Sequence, residues 1–169
     1  MKFLKPFTSV FLFLCLLCNQ TVHAEWEITQ GTDPMTDDNN AYISVDNEEG
    51  TYALALKCWN DKDKTRWFAF ITSIDFDKAQ KYPESTQISL RVDQEKAIDM
   101  AFGQVNMGNK LSYVTGPDFG KDYFALEKKI LNAKGKIVAS FMANTMFFSV
   151  PNSREAVAEL KTTCSYLGR

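Results

Sequence analysis

Apolar and polar positions alternate with a period of two through most of the chain. In "YALALKCWND" (52–61), Tyr52, Leu54, Leu56 and Cys58 share one face of a predicted strand. Ala53, Ala55, Lys57 and Trp59 take the other face. "RWFAFITSID" (66–75) sets Phe68, Phe70, Thr72 and Ile74 against Trp67, Ala69, Ile71 and Ser73. Both of its faces are rather apolar, which predicts a central strand covered on two sides. "QISLRVD" turns Ile88, Leu90 and Val92 inward and Ser89, Arg91 and Asp93 outward. "AIDMAFGQVNM" carries Ile98, Met100 and Phe102 on one side, with Gly103 as a candidate bulge. The turn "MGNK" (107–110) leads from it into the strand "LSYVT".

A short strand is expected over Ala41–Val45, before the acidic turn "DNEEG" and the cysteine strand. The segment Glu25–Asn40 reads as polar loop with a turn at Thr32-Asp33-Pro34. "KIVASFMA" (136–143) and "MFFSV" (146–150) read as two further strands.

The period changes to helical in two places. In "DYFALEKKILNAKG", Tyr123, Leu126, Ile130 and Ala133 form one stripe, with Asp122 as N-cap and Gly135 as the stop. In "PNSREAVAELKTTCSYLG", Val157, Leu160, Cys164 and Leu167 form another, with Asn152 as N-cap and Gly168 ending the helix. Strands joined by short turns are antiparallel. The expected class is therefore α+β: an antiparallel sheet or sandwich of about seven or eight strands with two helices.

The N-terminus changes the compartment. Lys2 and Lys5, an apolar run from Val10 to Cys18 and the pattern Val22-His23-Ala24 predict a signal peptide over 1–24, cleaved before Glu25. Bulky Leu17 before Cys18 argues against lipid anchoring there. Residues 25–169 then form one exported domain, periplasmic or secreted. Its 17 basic and 21 acidic residues are scattered rather than striped, so neither nucleic acid nor stable membrane insertion is expected.

The only histidine, His23, leaves with the signal segment. That removes imidazole-activated nucleophiles, histidine bases and histidine metal ligands from the expected domain. Cys58 and Cys164 are the cysteines that remain. In an oxidising compartment a lone pair reads as a disulfide, and each sulfur sits on the apolar face of its element. A Cys58–Cys164 bond would tie the last helix to an early strand.

Other constellations are weaker. "DKDKT" from Asp61 lacks the glycine and the glutamate of a calcium loop, since Arg66 and Thr72 stand there. Asp33/Asp37/Asp38 and Asp75/Asp77 offer carboxylate pairs, but all in hydrophilic turns. Arg91 and Asp93 flank Val92 as a surface ion pair or a ligand contact. Trp59, opposite the face of Cys58, needs its own cover from the chain or from a partner. No metal, cofactor or catalytic residue is expected.

Trp26, "DPMTD", "LALKC" after "EEG" and the "LRVD" strand follow one another along the chain. An "F-x-L-x-x-x-I-L-N-A" helix, an "F-x-x-N" strand and the closing "AVAELKTTC" come after them. This layout resembles the VasI-like family of periplasmic proteins associated with type VI secretion. The resemblance matches the family's two cysteines to Cys58 and Cys164, and its strand arginine and aspartate to Arg91 and Asp93. The tryptophan usual after "RVD" is replaced by a region with Ile98, Met100 and Phe102. The resemblance implies a non-enzymatic accessory protein that binds another periplasmic protein, with Arg91 and Asp93 as matched residues; Trp59, read from the strand pattern, is the further candidate interaction residue. The competing expectation is an inhibitor or immunity protein that plugs a hydrolase or toxin with "TGPDFGKD" or "DPMTDDNN".

Overall fold

The computed structural model describes residues 26–120, 122–150 and 153–168. The expected signal segment, Cys18 and the Asn152 cap lie outside these residues. The strands are β1 (Glu27–Thr32), β2 (Asn39–Asp46), β3 (Tyr52–Trp59), β4 (Arg66–Asp75), β5 (Ser85–Val92), β6 (Ile98–Met107), β7 (Lys110–Thr115), β8 (Lys136–Phe141) and β9 (Asn144–Ser149). The helices are α1 (Tyr123–Leu131) and α2 (Ser153–Thr163). All strand pairs are antiparallel, in the order β1-β2-β3-β4-β7-β6-β5-β8-β9. The class is α+β as expected and, of the sheet or sandwich, it is the single sheet, with nine strands rather than about seven or eight.

That sheet is strongly curled. Phe70 of β4 and Phe141 of β8 stand 5.2 Å apart between ring centroids. Four strand spacings separate them in the sheet order, which would be about 19 Å if the sheet were flat. Tyr113 of β7 meets the same Phe141 ring at 5.1 Å. The Glu48 amide, in the turn after β2, donates to the Phe147 carbonyl of β9 at 3.1 Å. The accumulated strand twist thus brings the far strand back to the near end, giving a half-barrel.

Its concave face holds the core that the alternation marked out. Ile43, Leu54, Leu56, Phe68, Phe70, Ile88, Leu90, Phe102 and Phe148 are all buried there. α2 packs against β1 and β2 and against α1. The end of the half-barrel nearer to the 60–65 turn is thereby filled by helix.

Several local expectations are corrected. β1 forms where polar loop was expected: Ile28 packs on the core while the other five residues are exposed. Gly103 sits in regular pairing with Val114 and Ser85, and the register break falls instead between Ile71 and Asp75 of β4. α1 ends at Leu131 and is capped by Asn132, whose side-chain amide donates to the Lys128 carbonyl, so Gly135 is not its stop. The Asp122 side chain makes no capping bond. α2 ends at Thr163 rather than running to Gly168. Cys164 still donates its N–H to the Leu160 carbonyl, and Gly168 adopts a φ of +74° in the turn that follows.

The β8–β9 turn is made by Met142 and Ala143, with φ of +47° and +64°. A left-handed conformation at both central residues normally calls for Asn-Gly. Met142→Asn with Ala143→Gly is expected to stabilise the protein by about 1–2 kcal/mol. Urea unfolding checks this, and an unchanged midpoint would refute the strain.

Candidate functional site

The site is built from Cys58 outward. Cys58 is fully buried at the end of β3 and is bonded to Cys164, just past α2. The bond spans 106 residues of sequence and ties β3 to the C-terminal helical segment. Two residues beyond Cys164, the Tyr166 hydroxyl lies 2.7 Å from the Trp59 carbonyl and 2.9 Å from that of Thr65. Burial pushes the phenol up to about 12, so it stays a neutral donor. The Trp59 amide in turn donates to the Thr65 carbonyl at 2.9 Å. The backbone that carries Trp59 is therefore clamped from both directions.

A buried ion pair completes the clamp, and sequence reasoning missed it. Arg66, register partner of Cys58, sets its Nε 2.9 Å from Glu127 Oε2 of α1. Their side chains are 12% and 1% exposed. The N–H meets the oxygen too obliquely for a hydrogen bond, leaving a charge contact. Glu127 Oε1 accepts the Gly168 amide at 2.9 Å. Burial raises the Glu127 carboxyl above its ordinary range, against the pull of the Gly168 amide and Arg66. The guanidinium lies over the rings of Phe124 and Tyr166, at 4.8 and 5.0 Å. The Tyr123 hydroxyl, also buried, has no hydrogen-bond partner among the described residues, and burial raises its pKa.

Trp59 itself faces outward, on the convex side. Its ring is 6.1 Å from that of Trp67 on β4, with the Lys57 ammonium 4.4 Å from the Trp59 centroid. Register places Tyr42, Lys57 and Trp67 in one row across β2, β3 and β4. Ile71 and Val114 share this face, and all six side chains are half-buried. Ala55 and Ala69, between them, are fully covered. The apolar outer face of β4 is thus partly covered by its own neighbours and partly open.

The other expected interaction residues are not brought to this face's centre. Arg91 is exposed on β5, four strands from β3. Asp93 lies beyond β5 with φ +50°, and no Arg91–Asp93 pair forms. Its carboxylate instead accepts the amides of Lys134, Gly135 and Lys136 at 3.0, 2.9 and 3.1 Å, which fixes the entry to β8.

The acidic turns are likewise dispersed. Asp33 caps the β1–β2 turn by accepting the Met35 amide, whereas Asp75 and Asp77 lie at the opposite end of the sheet. Asp75 is held by Lys110 at 2.6 Å and Lys78 at 3.3 Å, which keep its carboxyl below the usual range. Asp61, first of "DKDKT", accepts the Thr65 amide. No group of three or more His, Cys, Asp or Glu that could hold a metal ion occurs among the described residues. In the candidate plug loop, Phe119 lays its ring over Gly103, 3.7 Å from where a Cβ would stand.

Among the described residues, no helix is long and apolar enough to cross a membrane. Comparison of the chain with family models, curated proteins and solved structures finds no match to any of them.

Proposed function

We propose that this chain is a non-enzymatic binding protein of an exported compartment, acting on another protein through the convex face around Trp59 and Trp67. One observation carries the reading: two tryptophans, half-exposed on a sheet face, stand on backbone fixed by Tyr166 and the Cys58–Cys164 bond. Rigid aromatic anchors lose little entropy on docking, and Trp and Tyr dominate the binding energy of protein interfaces. Lys57 at the centre of the row favours a partner surface with a complementary carboxylate. The disulfide supports the oxidising setting. The role proposed is that of an accessory similar to the VasI-like proteins of type VI secretion.

Photo-crosslinking in the native cell tests this, with a benzophenone amino acid in place of Tyr42 or, as control, of Glu95 on the loop after β5. A discrete adduct with one exported protein is expected from position 42 alone. With that partner purified, Trp59→Ala is expected to weaken binding by about tenfold or more without lowering the unfolding midpoint. Equal adducts from both positions, or unchanged affinity in Trp59→Ala, would refute the face.

A further inference from the structure

A second site adjoins this face on the side of the sheet edge. A cleft of about 410 Å³ opens between β1, the start of β2, the residue after β3 and the end of α2. Gln30, Thr32, Asn39, Asn40, Asn60 and Thr163 are its main lining, and no charged side chain takes part. Its volume falls within the roughly 300–1,000 Å³ of small-ligand sites. Its chemistry differs from that of most such sites, because amides and hydroxyls replace apolar walls.

We infer that this cleft binds a neutral saccharide. A sugar hydroxyl both donates and accepts, and a side-chain amide offers a donor and an acceptor side by side. A set of amides and hydroxyls without a formal charge therefore matches a polyhydroxylated, uncharged ligand. It offers no cation to a phosphate or carboxylate and little surface to a lipid. The amides of two walls are also unspent: Gln30 and Asn60 make no side-chain hydrogen bond among the described residues. The Thr32 hydroxyl and the Asn39 side chain are bonded to each other at 3.1 Å, which orients that wall.

The walls are preorganised by the crosslink. Asn60 stands two residues after Cys58, and Thr163 immediately precedes Cys164, so the disulfide joins the two sides of the cleft. The Asn60 amide donates to the Asn39 carbonyl at 2.7 Å, tying in the third side. An extended peptide, which binds chiefly through the main-chain groups of a strand edge, is less well matched to side-chain amides.

The test is amide-resolved NMR of the purified protein with its disulfide intact. The probes are chitotetraose, cellotetraose and maltotetraose, with neutral trialanine as the peptide arm, each to about 10 mM, which detects binding free energies down to about 3 kcal/mol. Saturable shifts are expected at residues 30–32, 39–40, 60 and 162–163 with at least one tetrasaccharide. Affinity is expected to fall about tenfold in Asn60→Ala, the scale of one or two lost hydrogen bonds. Gln30→Ala, on the β1 wall and on the same face of that strand as Thr32, is the second variant. The proposal is overturned by no saturable shift with any of the three sugars, by an equal or stronger response to trialanine, or by unchanged affinity in both variants. None of these outcomes bears on protein binding at Trp59 and Trp67, which the crosslinking experiment reads separately.

Discussion

Replacing Cys58 and Cys164 together by alanine is expected to lower the unfolding free energy by about 4–5 kcal/mol. The bond closes a loop of 106 residues, and the chain-entropy model assigns about that much to a loop of this length. Whole domains are stable by only about 5–15 kcal/mol, so the variant should stand near the edge of folding. Urea titration of the oxidised protein and the double variant measures the difference. A second readout distinguishes the crosslink from simple loss of two buried sulfurs. With Cys164 freed, the Tyr166 clamp on the Trp59 carbonyl loosens, and the tryptophan emission should shift to the red before the sheet unfolds. A loss below about 1 kcal/mol with unchanged emission would show that the helices stay seated without the bond.

Arg66→Met is expected to cost about 3–5 kcal/mol at neutral pH, because it strands the Glu127 carboxylate in the interior. The pH dependence carries the argument. Burial raises the Glu127 carboxyl, so the folded protein holds that proton more tightly than the unfolded chain does. A raised group contributes stability that is fully present below its unfolded value and is lost as pH rises through its folded value. Without the guanidinium the folded value rises further. The deficit of Arg66→Met should therefore be greatest near about pH 8 and shrink toward about pH 4, the ordinary carboxyl range. Glu127→Gln placed on Arg66→Met should remove most of the pH dependence. A smaller, pH-independent loss remains from the contacts of Arg66 with Phe124 and Tyr166, on the order of 1–2 kcal/mol. A deficit that is flat with pH would assign the whole effect to packing.

The sequence reports faces far better than it reports curvature or partners. β3 and β4 were legible because their large buried side chains recur every second residue, with only alanine between them at 55 and 69, and the stripe of α1 emerged at Tyr123, Leu126 and Ile130. β1 was not, since an edge strand with five exposed residues has no alternation to show. The end of α2 was misplaced because Cys164 and Leu167 continue the helical stripe while already in a turn. The Arg66–Glu127 pair was missed because a charge in a polar stretch reads as solvated. The available signals were small ones: Glu127 falls between Tyr123 and Ile130 on the buried stripe, and Arg66 continues the face of Phe68 and Phe70. Asp93 looked like half of a surface pair. Its actual partners are three amides more than forty residues away, which no local pattern records. The cleft of amides is assembled from four separate segments and was invisible for the same reason.

The Glu48–Phe147 hydrogen bond has a consequence for self-association. An open sheet presents two rows of unpaired main-chain groups, each a template for another chain to add to. Here the curl presses β9 against the turn after β2, so one of these rows is obstructed by the molecule itself. Among the described residues β1 is left as the free margin, six residues long with a single charge, Glu27, and no extended apolar run to hold a visitor. The Phe147 carbonyl of β9 is thereby taken up by the shape of the monomer itself, which hinders growth through that edge without recourse to charge.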